Sequence, residues 1–263
     1  MENKQLKELL TTAVRAALEA GKAVNQVYEQ KDFQVETKQD ETPLTLADRK
    51  SHEIIDGYLK KTEIPILSEE GKDISYEDRS QWDYFWLVDP LDGTKEFIKK
   101  NGEFTVNIAL INQGTPILGV VFAPYVGELY FGARQFGAYK VTSMDESLIA
   151  FDDLNDLMKA GDILPLQSSR KKLVVVASRS HMNDETQDYI NGLMKKHGDA
   201  EFVSKGSSLK ICMVAEGSAD VYPRFAPTME WDTGAGHAVA LAAGFPITQI
   251  GRASCRERVC HRV

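Results

Sequence analysis

The sequence predicts an α/β chain of the α+β layered kind, with a mostly antiparallel N-terminal sheet backed by helices and a smaller α/β second half. Three observations predict it. Two opening stretches carry apolar residues at helical spacing, six short β-like runs follow between residues 64 and 141, and strands alternate with helices after residue 171.

Residues 5–30 place Leu6, Leu9, Leu10, Val14, Ala17, Leu18 and Val24 on one helical face, and residues 45–61 repeat the pattern with Leu46, Ile54, Ile55, Tyr58 and Leu59. The β-like runs are IPIL (64–67), DYFWLV (83–88), FTVNIALI (104–111), ILGVVFAP (117–124), ELYFGAR (128–134) and GAYKV (137–141), bounded by Gly, Pro, Asn and Asp. Residues 142–170 are polar and weakly patterned and read as a connection. Beyond them, KLVVVAS (172–178), AEFVSK (200–205) and ADVYPRF (219–225) read as strands, and residues 184–198, 207–217 and 232–244 as helices. FPIT, from Phe245, would begin one more strand.

With 263 residues, 43% of them hydrophobic, the chain can bury a large core, and disorder is excluded. A formal net charge of -8, with acidic and basic residues intermixed, offers no basic stripe to nucleic acid. The N-terminus lacks the charge and apolar run of a signal peptide, and no segment is long enough to span a bilayer. Cys212, Cys255 and Cys260 form neither a disulfide framework nor a metal cluster. A cytoplasmic protein is the expectation, compatible with peripheral contact at the inner face of the membrane; the oligomeric state is left open.

From about Ile250 the character changes: IGRASCRERVCHRV holds four arginines, two of the three cysteines and no apolar periodicity. It resembles the translation of a sequencing-library adapter and is read as a non-native tail in place of the native C-terminus. The expected division is therefore 1–142, a connecting segment 143–170, a second half 171–249, and the tail 250–263. Without a last strand after FPIT a sheet edge is exposed, so the chain is expected to melt below a full-length relative.

The chemistry concentrates in FWLVDPLDGTKEF (85–97). Asp89 and Asp92 flank a turn stiffened by Pro90, with the Leu91 carbonyl between them. Such an oxygen-rich pocket suits Mg²⁺. Gly93 lets backbone approach a ligand closely, and the amides of Gly93, Thr94 and Lys95 could hold a phosphate. Alone, the hexapeptide reads equally well as an Asp-Pro turn. Three further acidic signals weigh on it: Glu69 and Glu70 adjacent at a strand end, Asp232 as the cap of an apolar helix, and Asp48 with Thr45 opening another helix.

In chain order, Asp48, Glu69-Glu70, DPLDGT and Trp231-Asp232, the four segments resemble the magnesium-dependent, lithium-sensitive phosphatase superfamily of inositol monophosphatases, fructose-1,6-bisphosphatases and 3′(2′),5′-bisphosphate nucleotidases. DGTKEFIKKNGEFTVNIAL, with SRSH (178–181), GSSLK (206–210) and VYPRF (221–225), is similar to the bacterial nucleotidases of the CysQ type. The resemblance covers residues 1 to about 249 and implies an inositol monophosphatase-like sugar phosphatase fold, with the metal and phosphate site in the first half. It implies that Glu69, Asp89, Asp92, Asp232 and the Leu91 carbonyl hold two or three Mg²⁺ ions, with Li⁺ inhibiting and Glu70 in the shell around them. Glu69, Thr94 and Asp48 would serve catalysis, Asp48 orienting Thr94, and water would attack directly. Gly93 and Thr94 would cradle the scissile phosphate, while His181, Ser207, Lys210 and Arg224 in the second half would hold the rest of a nucleotide.

The implied reaction removes the 3′-phosphate of adenosine 3′,5′-bisphosphate to give AMP, a step linked to sulfur assimilation. The alternative is an inositol monophosphatase or related sugar phosphatase. A non-catalytic sensor of nucleotide or metal is disfavoured by the intact Thr94 and Asp48. Cys212 and His237 show no nucleophile arrangement, and His237 is expected to pack on a helix face.

Overall fold

A computed structural model of the chain describes residues 1–30, 35–37, 43–142, 151, 153–167, 170, 172–177 and 183–247. His181 and the tail 250–263 lie outside the described residues. The expected architecture is present. Helices α1 (Asn3–Tyr28) and α2 (Leu46–Leu59) open the chain and one large sheet follows them. Strands β1 (Glu36–Thr37) and β2 (Pro43–Leu44) form a small ribbon just before α2.

The large sheet has seven strands in chain order: β3 (Ile66–Ser68), β4 (Tyr84–Asp92), β5 (Thr105–Asn112), β6 (Thr115–Ala123), β7 (Glu128–Ala133), β8 (Gly137–Val141) and β9 (Asp162–Leu164). The β3–β4 pair is parallel and every other pair is antiparallel. Short helices α3 (Tyr76–Arg79) and α4 (Thr94–Ile98) flank β4.

Its strands read as nearly continuous apolar runs because both faces are covered. One face, with Trp86, Val88, Ile108, Leu110, Val120 and Phe122, packs under α1 and α2. The alternate residues Leu87, Ala109, Ile111, Val121 and Tyr130 face helices α7 (Leu209–Ala215) and α8 (Glu230–Ala242). Fully burying a side chain such as Phe104 or Phe131 contributes about 1.5–3 kcal/mol. Helix α8 lies close on β6 because Gly119 has no side chain: a Cβ there would stand 2.3 Å from the Ala235 carbonyl oxygen.

From residue 142 onward the chain differs from expectation in three places. The polar stretch before it contains α5 (Leu154–Ala160) and strand β9, which forms the edge of the large sheet. Leu154 and Leu157 anchor α5 in the core, a spacing too short to show as periodicity. ADVYPRF, expected as a strand, makes only a parallel bridge between Val221 and Val175. Asp220 turns its carboxylate onto the Val174 amide, and Pro223 has no N–H to extend a ladder. The true small sheet pairs β10 (Leu173–Ala177) with β11 (Ala200–Ser204) in parallel across helix α6 (Asp184–His197). Phe245, Pro246 and Ile247 are not in a strand. No helix among the described residues is long and apolar enough to cross a membrane.

Candidate active site

On a regular strand, Asp89 and Asp92 would point to opposite faces, since their separation is odd. The β4–β5 register shifts between them. Asp89 faces Asn107 and Asp92 faces Thr105, so β4 holds one residue more than β5 over that interval. The bulge turns both carboxylates to one side, where their oxygens and one of Asp232 lie within 4.8 Å of one another. Pro90 is pinned from below, its carbonyl accepting from Ser51 Oγ at 2.6 Å, and the Leu91 amide donates to Asp89 Oδ1 at 3.1 Å.

Asp232 is the third residue of α8 and not its cap, as expected from sequence. Its Oδ2 reaches back to accept from the Met229 amide at 3.1 Å and from Thr228 Oγ1 at 2.6 Å. That box holds the carboxylate at the helix mouth. Asp48 occupies the same position in α2: its Oδ2 accepts from the Thr45 amide at 2.7 Å and hydroxyl at 2.5 Å. Its other oxygen, Oδ1, accepts from Thr94 Oγ1 at 3.3 Å, which also lies 3.2 Å from the Leu91 carbonyl. One carboxylate thus caps a helix with one oxygen and holds a cleft hydroxyl with the other.

A cleft of roughly 260 Å³ gathers Glu69, Asp89, Leu91, Asp92, Gly93 and Thr94 with Ser207, Lys210, Arg224 and Asp232. Ten of the residues singled out from sequence therefore share one cleft, and Asp48 lies beneath it through Thr94. Glu70 is not on its wall. Ser68 and Gly71 close a turn, and Glu69 alone of its two central residues lines the cleft. Gly93, at φ 89°, provides the left-handed step into α4.

Burial, with Glu69, Asp92, Asp232 and Asp48 nearby, drives the Asp89 carboxyl well above the usual carboxylate range. Burial and Asp92 also raise Asp232, against the donors Thr228 and Met229. Among the described residues no lysine or arginine pairs with Asp89, Asp92 or Asp232. Convergent carboxylates beside a backbone carbonyl, without sulfur or imidazole, make a donor set that fits a hard divalent cation. Lys210 is 6% exposed, and burial, helped by Arg224, lowers its ammonium pKa while Asp92 opposes the shift. Its Nζ donates to the Ser207 carbonyl at 2.6 Å. Arg224 donates to the Pro227 carbonyl at 2.8 Å and to Tyr222 Oη at 3.3 Å.

Sequence reasoning missed Asn107, Ser208 and Thr228, which hold the aspartates, Thr105, which bonds Asn107 and Ser207, and Tyr222, which lines the cleft. The signal for two of them was visible: Thr and Asn interrupt an otherwise apolar run in FTVNIALI.

The profile of the inositol monophosphatase family matches residues 5–260. The chain is 46% identical over 239 residues to the 3′(2′),5′-bisphosphate nucleotidase CysQ of Salmonella typhimurium, covering 90% of this chain and 88% of that one. It is 35% identical to the CysQ of Haemophilus influenzae over 86% and 78% of the two chains. Among solved structures, CysQ from Bacteroides thetaiotaomicron, a bacterial member of the inositol monophosphatase family, superposes with a TM-score of 0.87 at 49% identity, covering 95% and 92%.

Proposed function

The chain belongs to the inositol monophosphatase family, and from that premise we propose that it is a magnesium-dependent 3′(2′),5′-bisphosphate nucleotidase, releasing the 3′-phosphate of adenosine 3′,5′-bisphosphate to leave AMP. The observation that carries the reading is the Thr94 hydroxyl, held by Asp48 beside three convergent aspartates. Identity of 46% to a nucleotidase named for this reaction supports the substrate class.

Glu69, Asp89, Asp92, Asp232 and the Leu91 carbonyl would hold Mg²⁺, with Glu70 behind Glu69, and Li⁺ competing there. Bound Mg²⁺ supplies Lewis acidity toward the phosphate and lowers the pKa of water. Thr94 accepts the proton of the attacking water as its own hydroxyl proton passes to Asp48 Oδ1. Asp48 can take it without turning, because its second oxygen is fixed by Thr45. Glu69, on the cleft wall, orients that water. Gly93 and Thr94 present amides to the scissile phosphate at the start of α4.

Lys210, Arg224 and Ser207 face the far part of the substrate, where a second phosphate suits two cations better than an inositol ring does. His181 is assigned to the same subsite by resemblance alone. We take the enzyme to act in the cytoplasm.

The test is phosphate release from adenosine 3′,5′-bisphosphate, AMP and myo-inositol 1-phosphate, with and without Mg²⁺ and Li⁺. Mg²⁺-dependent, Li⁺-inhibited release from the first alone is expected. Faster release from inositol phosphate would displace the nucleotidase reading in favour of a sugar phosphatase.

A further inference from the structure

Thr105 and Asn107 are 0% and 1% exposed in a strand that is otherwise apolar between them and Leu110. Buried polar side chains are costly unless bonded, so their partners define their purpose. Each stands opposite an aspartate of the site, Asn107 facing Asp89 and Thr105 facing Asp92 across the bulge. Asn107 Nδ2 donates to Asp92 Oδ2 at 3.4 Å and to Ser208 Oγ at 3.0 Å. Ser208 Oγ in turn donates to the Asp232 carbonyl at 2.7 Å. The Thr105 hydroxyl sits between Asn107 Oδ1, at 2.9 Å, and Ser207 Oγ, at 2.6 Å.

Asp92 Oδ2 is thereby committed to the protein. It accepts from Ser207 Oγ and the Ser208 amide, both at 2.7 Å, and from Asn107. Among the described residues no hydrogen bond reaches its Oδ1. The turn that supplies these donors is held in an unfavourable shape: Ser207 has φ 54°, a conformation costing a non-glycine residue roughly 1 kcal/mol or more. Glu103 braces it by accepting from the Gly206 amide at 2.9 Å. The same turn carries the carbonyl that receives Lys210 Nζ. One polar network therefore joins Asp92, the backbone of Asp232 and the anion-facing lysine.

We propose that Thr105 and Asn107 are positioning residues that lock the 206–208 turn onto Asp92, so that cation binding at the aspartates and anion binding at Lys210 favour one arrangement and strengthen each other. The inference rests on the aspartates being metal ligands. Coupling of this kind is reciprocal: each ligand must tighten the other by the same factor.

The experiment titrates the full chain with Mn²⁺, followed by electron paramagnetic resonance, with and without saturating AMP, and with AMP by calorimetry, with and without Mn²⁺. AMP carries the second phosphate and no scissile one. In the wild type each is expected to tighten the other about fivefold. Thr105→Val keeps the shape and removes the hydroxyl; the mutual factor should fall toward one, while Thr105→Ser retains it. Asn107→Leu should behave as Thr105→Val does and carries the comparison if that variant fails to fold, as judged by circular dichroism. Wild-type coupling in Thr105→Val and Asn107→Leu, or loss in Thr105→Ser equal to that in Thr105→Val, overturns the inference alone. A wild type that does not bind Mn²⁺ overturns the metal reading and the inference with it.

Discussion

Thr94 Oγ1 lies 3.3 Å from Asp48 Oδ1 although the two residues are 46 apart in sequence, and they meet because α2 and α4 both begin at the same end of β4. Asp48 serves that contact with one oxygen while the other closes the α2 capping box. The hydroxyl is therefore aimed by secondary structure and not by a mobile side chain.

Replacing Thr94 by Val, or Asp48 by Asn, should lower kcat by about 10²–10⁴ with little change in KM, the range for a lost general base. The double variant should lose no more than the worse single one, because the pair acts as one unit. Steady-state phosphate release measures all three.

Asp89→Asn should have opposite effects with and without metal. The folded-state pKa of Asp89 is raised, so the folded protein binds more protons than the unfolded chain above the ordinary carboxylate range, and stability falls as pH rises toward that raised pKa. Metal-free Asp89→Asn should therefore melt above metal-free wild type at neutral pH, and the gap should shrink at mildly acid pH. Each unit of raised pKa is about 1.4 kcal/mol. With saturating Mg²⁺ the order should reverse; melting curves with EDTA or Mg²⁺ check both halves.

Lys210→Gln should raise KM for adenosine 3′,5′-bisphosphate about ten- to a hundredfold while changing kcat less, the usual effect of losing a charged hydrogen bond. Because burial lowers the Lys210 pKa, wild-type KM should begin to rise with pH earlier than an ordinary lysine would dictate. That alkaline rise should be absent from the variant's KM profile.

Gly119→Ala lies on the sheet, outside the cleft, but its methyl would meet the Ala235 carbonyl and Ala238 Cβ. Pushing α8 outward should cost about 1–3 kcal/mol and also weaken Mg²⁺, since Asp232 is fixed to that helix. Tm and Mg²⁺ affinity should fall together. An Ala variant with lowered Tm and wild-type Mg²⁺ affinity would show that Asp232 does not follow the helix.

Much of this was legible in the sequence. Leu6, Leu10, Val14 and Ala17 predicted α1, and VDPLDGT predicted convergent carboxylates, because helical spacing and turn chemistry are local. What could not be read is how Asp89 and Asp92 come to face one way: the bulge exists only as a register between β4 and β5. Asp232 looked like a cap because Thr228 and Met229, which it bonds, carry no sequence signature as partners. ADVYPRF looked like a strand because the Asp220 carboxylate occupying the Val174 amide is a tertiary event.

The packing of α8 over β5, β6 and β7 bears on how the chain is made. Asp89 and Asp92 precede Glu230–Ala242 by well over a hundred residues, and that helix, with α7, covers Leu87, Ala109 and Val121 on their sheet. The donor set closes only when Asp232 comes with that helix. Any cation held there would clasp early and late parts of the polypeptide together, so unfinished chains would be both inactive and exposed to chaperones along one sheet face.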